Sequence, residues 1–335
     1  MTVYSRPGNI VREFLRPGRS PIFISSADLL HTAVLPVLGR TVTQRQQVRS
    51  MMGPALSATN GDFFTIYGAD GVEVAPGGIP VKGTSYYQPA IVIDDHRNPL
   101  ISQVKLSIAL HSRPSPTHTI VVDAQAYNSA RPAVDGLSVF DSRWGAPALL
   151  GSMRWQPQPA TSYTVAGGRV ISVVPGVSTV AIPAGGFRVV AQGNGNGRLV
   201  AAGWHVGTTV ARFVAAQAPD LRHVNGALGV GRPTITGGHI LGSACGFDVA
   251  TPRTLFGILP GGRTAVLVAA SGQGLTMRES NALMRGIGVA SAAMLDGGGS
   301  TVMTVRTTGP VQLTVHPYRY EGDRPVPDAL GVFAR

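Results

Sequence analysis

The sequence Ala292-Ala293-Met294-Leu295-Asp296-Gly297-Gly298-Gly299-Ser300-Thr301-Val302-Met303 places a carboxylate, three glycines and two hydroxyls between two apolar runs. Glycine reaches positive φ without steric cost, so three in succession let the main chain approach a ligand closely. Successive N–H groups in such a turn form a concavity that binds anionic oxygen. The stretch is therefore interpreted as a binding site rather than as a linker.

The residues before this turn predict a strand, a helix and a second strand. The helix is expected over about Thr276–Gly286, because Thr276 and Glu279 have the spacing of a capping box. Strands are expected over Thr264–Ala270 and Ser291–Leu295, so the glycine turn follows the second strand. Ligands commonly bind outside the carboxyl ends of strands, which favours a site at this turn.

Composition predicts an α+β fold that is β-rich, with mixed sheets and a few packed helices. The 335 residues include 43 glycines and 25 prolines, which suit short strands joined by tight turns. A second helix is expected over Thr43–Met52. Further β-rich runs, divided by turn residues such as Gly167-Gly168, are Pro89–Asp94, Val104–Leu110, Thr119–Asp123, Thr161–Val174 and Phe187–Ala191.

Residues 1–20 are rich in arginine, proline and glycine and are expected to form a basic N-terminal arm. Residues 21–335 are expected to form a single domain. The formal net charge is +11, and Lys82 and Lys105 are the only lysines, so arginine carries the excess. A basic chain suits an anionic partner, but no nucleic-acid motif accompanies the arginines, so nucleic acid is not an expected partner.

The sequence also bounds where the protein acts. No stretch is long and apolar enough to cross a bilayer, and the N-terminus lacks the apolar centre of a secretory signal. Without membrane insertion or a signal peptide, the expected location is a virion delivered outside the host, or the cytoplasm. Cys245 is the only cysteine, which excludes a disulfide framework, and it is expected to be a small buried hydrophobe.

Several other motifs occur along the chain in a fixed order. They are Asn60-Gly61-Asp62-Phe63-Phe64, Gly78–Val81, Ala90–Asp94, Ile182–Phe187, Val206–Val210, Thr251–Ile258, Asp296–Thr301 and Arg324–Leu330. Together they resemble the phosphodiester glycosidase family over about residues 55–335. The resemblance implies that family's fold and its hydrolysis of sugar phosphodiesters. The chain departs from the family pattern at Asp62, where glycine is usual. The disulfides and accessory domains of the family's best-known member are not expected here, so substrate identity is not carried over.

Hydrolysis at the sugar carbon of a glycosyl phosphodiester makes three physical demands. The phosphate charge must be neutralised, the oxocarbenium-like sugar stabilised, and a water or carboxylate supplied on the opposite face. Asp296 is predicted as the catalytic carboxylate, acting as nucleophile, base or clamp, with Asp62 as its partner. Arg253 is predicted to grip the phosphate through its planar guanidinium, the alternative being a structural arginine paired with a carboxylate.

The remaining candidates surround the phosphate and the sugar. Asn60 is expected to hold a sugar hydroxyl, to orient Asp62 or to cap the main chain. No metal-ligand spacing is present, so no cofactor is predicted as required, and a divalent cation such as calcium at Asp62 or Asp296 is left open. The predicted substrate- and phosphate-binding residues are Asn60, Gly61, Lys82, His239, Arg253, Thr254, Gly297, Gly298, Gly299, Ser300 and Thr301.

The leading functional hypothesis is a hydrolase that cleaves a sugar-1-phosphate diester in a glycan or cell-surface polymer. The alternative is a structural or receptor-binding component of a bacteriophage tail or virion, which uses the same fold to bind, and to trim, host-surface glycan. A glycan-directed fold without an export signal motivates this alternative, as does a basic arm suited to contacts with other virion proteins. A cytosolic enzyme acting on a nucleotide sugar is a third, weaker hypothesis.

Overall fold

The computed structural model of the protein describes residues 2–115, 117–153, 155, 158–241, 248–306, 312–315 and 324–335. Cys245, which the sequence predicts to be buried, lies outside the described residues. Strands predominate and helices are few and short, which confirms the β-rich α+β fold class. In the described part of the chain, no helix has the length and apolarity needed to span a membrane.

The elements are numbered in chain order. The first strands are β1 Thr2–Arg6, β2 Asn9–Arg16, β3 Arg19–Asp28, β4 Thr32–Leu38, β5 Ser57–Asn60, β6 Phe64–Thr65, β7 Gly68–Ala69, β8 Glu73–Ala75, β9 Ile79–Thr84, β10 Gln88–Ile93, β11 Pro99–Ser115, β12 His118–Asp123, β13 Ala126–Tyr127 and β14 Leu137–Asp141. The later strands are β15 Ala160–Ala166, β16 Arg169–Pro175, β17 Phe187–Gln192, β18 Thr209–Gln217, β19 Gly226–Gly229, β20 Arg232–Thr236, β21 His239–Ile240, β22 Thr251–Ile258, β23 Thr264–Leu275, β24 Ser291–Met294, β25 Met303–Arg306, β26 Gln312–Val315 and β27 Asp328–Ala334. The α-helices are α1 Val48–Met51, α2 Ala148–Ser152, α3 Asn194–Ala201 and α4 Met277–Ile287, and short 3-10 helices lie at Ser142–Trp144 and Gly298–Ser300.

Three large sheets and a small hairpin organise the described strands. The eight-stranded sheet has the order β1-β2-β3-β23-β22-β24-β20-β21, and the five-stranded sheet has the order β26-β25-β5-β27-β4. The twelve-stranded sheet has the order β10-β19-β8-β9-β13-β14-β17-β15-β16-β18-β11-β12. An additional pairing of β10 with β11 closes it into a ring, with β12 outside.

Apolar side chains fill the space inside the ring and on both faces of the eight-stranded sheet. Phe256 and Leu267 on one face pack in a cluster with Met303 and Leu330 of the five-stranded sheet. On the other face, residues such as Leu255 pack in a cluster that includes Met284 of α4. Successive residues of β22 therefore serve two cores, because side chains alternate between the faces of a strand.

The predicted strand, helix and strand before the glycine turn are confirmed. Thr276 accepts a hydrogen bond from the N–H of Glu279, whose carboxylate accepts from the Thr276 N–H, so the capping box is complete. Gly288 ends α4 in the left-handed conformation, with φ of 86°. In the sheet, β22 lies between β23 and β24 and is antiparallel to both, so α4 crosses over it to connect two parallel strands.

In two N-terminal segments the structure differs from what the sequence predicts. The basic segment of residues 1–20, predicted as an arm, contains β1 and β2, which form a hairpin at the edge of the eight-stranded sheet. The predicted helix over Thr43–Met52 is wrong in its first half, since only Val48–Met51 is helical. Gln46 instead exchanges main-chain hydrogen bonds with Val326, which holds this part of the chain extended.

Replacement of Thr276 by alanine is expected to destabilise the protein by about 1 kcal/mol, because the first turn of α4 loses its N-cap acceptor. Urea unfolding of the purified variant measures this difference. The T276S variant keeps the hydroxyl and is expected to match the wild type, and an equal loss in both variants would contradict the role of the cap.

Candidate active site

The glycine turn is held between β22 and the end of β5. The N–H of Leu295 donates to the Thr254 carbonyl over 3.0 Å, and the N–H of Asp296 donates to the Gly61 carbonyl over 2.9 Å. Gly297 lies so close to β22 that a Cβ there would be 2.7 Å from the Pro252 carbonyl oxygen. The turn is therefore held by main-chain contacts to segments far away in the sequence. The absence of a side chain at Gly297 lets the turn approach Pro252 closely.

The side chain of Asn60 connects these segments and is fully buried. Its Nδ2 donates to the main-chain carbonyl of Asp296 over 2.8 Å. Its Oδ1 accepts from Thr254 Oγ1 over 2.7 Å and from the Val302 N–H over 3.2 Å. Of the roles that the sequence left open, the structure favours main-chain support, because protein groups engage both ends of the amide.

The turn presents main-chain donors beside the Asp296 carboxylate. The N–H of Gly297 donates to Asp296 Oδ1 over 2.9 Å, while those of Ser300 and Thr301 close the turn on the Gly297 and Gly298 carbonyls. Among the described residues, none accepts a hydrogen bond from the N–H of Gly298 or Gly299. Gly298 has φ of 59° and open space on its Cβ side. These two N–H groups are the donors available to an anionic ligand.

Burial and neighbouring charges act on Asp296 in opposite directions. Removal from water raises the pKa of Asp296. The Ser300 hydroxyl, the Gly297 N–H and the positive charge of Arg324 each lower this pKa, and the negative charge of Asp70 raises it. Arg324 and Asp70, which sequence reasoning did not select, are therefore the charged groups that act on Asp296.

Asp62 is held inside the protein, and only 3% of its surface is exposed. Its Oδ1 accepts from the Phe63 N–H over 2.8 Å, and its Oδ2 accepts from the Gly71 N–H over 2.5 Å. A Cβ at Gly71 or Gly229 would lie 2.5 Å from Oδ2, so these glycines enclose the carboxylate. Burial raises the pKa of Asp62 to about 7, although the Lys82 charge opposes the shift.

Two further carboxyl groups lie beside Asp62, and the sequence analysis missed both. Asp328 Oδ1 accepts from the N–H of Asp62 over 2.8 Å, and Glu73 lies close enough for its charge to act on Asp328. Burial and the charges of Glu73 and Asp62 raise the pKa of Asp328 well above its usual range. Burial also raises the pKa of Glu73, and the charge of Lys82 opposes that shift.

Lys82 lies within this buried group rather than at an open phosphate site. It is opposite Glu73 in the pairing of β8 with β9, and it is completely buried. Its Nζ has no hydrogen-bond partner among the described residues, but its charge lowers the pKa of both Asp62 and Glu73. We define Asp62, Glu73, Lys82 and Asp328 as the buried charge cluster. Lys82 offsets the negative charge that this cluster places out of water.

Arg253 lies next to the turn, but protein groups engage its guanidinium. Its Nε donates to the Leu275 carbonyl over 3.2 Å, and one terminal nitrogen donates to the Val249 carbonyl over 3.2 Å. The other terminal nitrogen lies 3.8 Å from Met294 Sδ. Burial lowers the pKa of Arg253. The residue ties β22 to neighbouring segments by main-chain contacts, and the charge of Asp248 opposes the lowering of its pKa. The structural alternative drawn from the sequence, a pairing with a carboxylate, stays a prediction.

The other predicted ligands divide into two groups. Thr254 supports Asn60, while Ser300 and Thr301 are buried at the end of the turn, so all three lie at the site. His239 is exposed in the hairpin of β20 and β21, and the neighbouring Gly238 N–H donates to the carbonyl of Ala290, just before β24. The glycine turn follows the other end of β24, so the structure does not bring His239 to Asp296.

The described residues contain no group of three or more histidine, cysteine or acidic side chains arranged to hold a metal ion. The three carboxyl groups of the buried charge cluster instead face a lysine, main-chain N–H groups and one another. The chemistry available at the turn is that of one carboxylate, main-chain donors and nearby charged side chains.

Comparison with known proteins identifies the family. The phosphodiester glycosidase family model matches residues 160–333, which include the glycine turn and β27. This is more than half of the sequence, and the chain belongs to the phosphodiester glycosidase family. Asn60 and Asp62 precede the matched segment, and the fold brings them to it. No curated protein matches the sequence.

Solved structures share the fold at low sequence identity. A hypothetical protein from Synechocystis is 18% identical with a TM-score of 0.74, and the alignment covers 98% of this chain and 62% of that protein. A putative exported protein from Burkholderia pseudomallei is 20% identical with a TM-score of 0.68, with 97% and 74% covered. The zebrafish N-acetylglucosamine-1-phosphodiester alpha-N-acetylglucosaminidase catalytic domain, auto-inhibited by its pro-peptide, is 12% identical with a TM-score of 0.48, with 98% and 82% covered. This chain thus spans less than two thirds of the Synechocystis protein.

Replacement of Lys82 by methionine is expected to destabilise the protein by about 3 kcal/mol at pH 8, because the buried carboxylates lose their positive neighbour. The raised pKa of Asp62 means that the folded state keeps a proton which the unfolded state releases above about pH 4. Without Lys82 this pKa rises further, so the loss is expected to grow between pH 5 and pH 8. Urea unfolding across this range, with K105M as the matched control, measures it. A pH-independent loss would contradict the charge compensation.

Proposed function

We propose that this protein hydrolyses the phosphodiester that joins the anomeric carbon of a sugar to an acceptor in a glycan or cell-surface polymer. One observation carries the proposal: the Asp296 carboxylate lies in a partly exposed turn in which the N–H groups of Gly298 and Gly299 have no acceptor among the described residues. Membership of the phosphodiester glycosidase family supports the same reaction class. Substrate and acceptor remain at the level of chemical class.

In this proposal the phosphate oxygens accept hydrogen bonds from Gly298 and Gly299. Such donors are already oriented by the turn, so they stabilise the charge that the departing phosphate gains without reorganisation during the reaction. A phosphate ester is a good leaving group, so this electrostatic stabilisation contributes more than proton donation. Asn60 acts as a positioning residue, because its amide holds the Asp296 carbonyl and thereby the path of the turn.

Asp296 is proposed to act at the anomeric carbon, either as the nucleophile or as the base that activates water. Both roles require the ionised carboxylate. Asp70 is proposed as the second carboxyl group of the reaction, since it is half-buried and its charge acts on Asp296. We assign Asp62 to positioning instead, because main-chain donors occupy both of its oxygens and little of it reaches the surface.

The D296N variant is expected to lose at least about 10²-fold in kcat while it remains folded, since the amide cannot accept a proton or attack carbon. Release of sugar from a panel of sugar 1-phosphates esterified to glycerol measures the activity. D95N changes an exposed carboxylate and is expected to behave as the wild type, and D70N is expected to lower kcat less than D296N. Wild-type turnover by folded D296N would exclude the proposed role.

The acid limb of the kcat/KM profile is expected to shift to higher pH in the R324Q variant. Arg324 lowers the pKa of Asp296, so removing its charge makes the carboxylate harder to ionise. Rates measured from pH 3 to pH 8 test the direction, and R113Q, which removes an exposed arginine on β11, is the charge-matched control. An unchanged limb, or a shift to lower pH, would contradict the assignment of Asp296 as the ionising group.

A further inference from the structure

Two arginines meet on one aromatic ring beside the candidate active site. The guanidinium carbon of Arg45 lies 5.0 Å from the centre of the Phe64 ring, and that of Arg324 lies 4.9 Å from the same centre. Arg45 also donates to the Thr65 carbonyl over 3.1 Å. Phe64 is half-buried in β6, so the ring is a fixed surface against which both guanidinium groups are oriented.

A backbone pairing between two distant segments brings the two arginines together. Gln46 and Val326 exchange hydrogen bonds of 2.8 Å in both directions, which forms an isolated antiparallel bridge. Arg45 immediately precedes Gln46, and Arg324 lies two residues before Val326. Residues almost 280 positions apart in the sequence therefore converge because of one backbone pairing.

This pair of arginines lies near the end of the glycine turn, because Phe64 packs against the apolar cluster that includes Val302, the residue after Thr301. The charge of Arg324 reaches Asp296, since it lowers the pKa of that carboxylate. Arg324 is exposed, and no described residue forms a hydrogen bond or an ion pair with it. Asp70, the nearby acidic group, instead lies 3.8 Å from Arg131. Among the residues that the structure describes, no carboxylate forms an ion pair with Arg324.

We propose that Arg45, Arg324 and Phe64 form a subsite for a second phosphate group on the acceptor side of the scissile phosphodiester. A guanidinium offers a planar fork that binds phosphate oxygens in two places, and two of them around one ring suit a doubly charged group. Gly298 and Gly299 would hold the reacting phosphate, and the arginine pair would hold the next one. This inference rests on the proposed function and narrows its substrate class to glycans or polyol polymers that carry repeated phosphates.

The alternative is that the arginines only pack on Phe64. A cation–π contact at an exposed site contributes about 0.5–1 kcal/mol, which is enough to hold the side chains without any ligand. If the arginines only pack on Phe64, replacing them leaves the affinity for a phosphate-bearing molecule unchanged. If they form a subsite, replacing them weakens that affinity. Direct binding therefore separates the two explanations, and it does so independently of catalysis.

The first experiment measures binding by calorimetry with a defined probe, a linear trimer of glycerol phosphate. The wild type, R45Q, R324Q, the double variant and the control R113Q are compared at low and moderate salt. R45Q and R324Q are each expected to weaken binding of the trimer about tenfold, because each removes a charge-assisted contact. R113Q is expected to bind as the wild type does. No binding by the wild type, or equal binding by the wild type and the double variant, would overturn the subsite.

The second experiment compares hydrolysis of two substrates that differ by one phosphate. One is a sugar 1-phosphate esterified to glycerol, and the other carries an additional phosphate on the far hydroxyl of the glycerol. The R45Q variant is expected to lose about tenfold in kcat/KM for the second substrate, mainly through KM, and much less for the first. Equal losses for both substrates would overturn the subsite and leave the proposed hydrolysis intact. Trimer binding that depends on the arginines, without hydrolysis of either substrate, would support the subsite and count against the proposed function.

Discussion

The amide of Asn60 is the interaction on which the geometry of the candidate site depends. A single buried side chain holds the carbonyl of Asp296, the hydroxyl of Thr254 and the N–H of Val302. These groups belong to the beginning and end of the glycine turn and to the strand beneath it. An unsatisfied buried polar group costs about 1–3 kcal/mol, so each contact strongly favours one path of the main chain. The turn can therefore contain three flexible glycines and still present its donors in a defined direction.

Beneath the turn, the protein keeps an unusual concentration of charge out of water. Three carboxyl groups and one amine are buried together. Burial raises the pKa of all three carboxyl groups, and the charge of the lysine opposes this shift at Asp62 and Glu73. Asp328 also accepts from the N–H of Asp62, while the preceding residue, Gly61, accepts from Asp296. The buried charge cluster therefore contacts the segment Gly61–Asp62, which also holds the main chain of Asp296.

The features that the sequence predicted correctly are those that a few neighbouring residues determine. Thr276 and Glu279 fixed the start of α4, and the glycine run marked the turn, because capping and positive φ depend on a few neighbouring residues. The buried charge cluster was not predictable in this way. Glu73 faces Lys82 only through the register of β8 with β9, and Asp328 reaches Asp62 from the other end of the sequence. The position of Arg324 near Asp296 was also not predictable from local patterns. Its place at the start of the motif Arg324–Leu330 was the one signal that pointed to the site.

The position of β27 in its sheet has a consequence for how the protein matures. Asp328–Ala334 is not an edge strand, because it pairs with β4 on one side and with β5 on the other. Asn60 is in β5, so the residue that supports the turn stays without its lateral neighbour until residues near 330 have left the ribosome. Until β27 has been made, β4 has no partner strand in this sheet and β5 is open along one edge. Assembly of the site is therefore a late step of folding during synthesis, because β27 lies C-terminal to every other strand of its sheet.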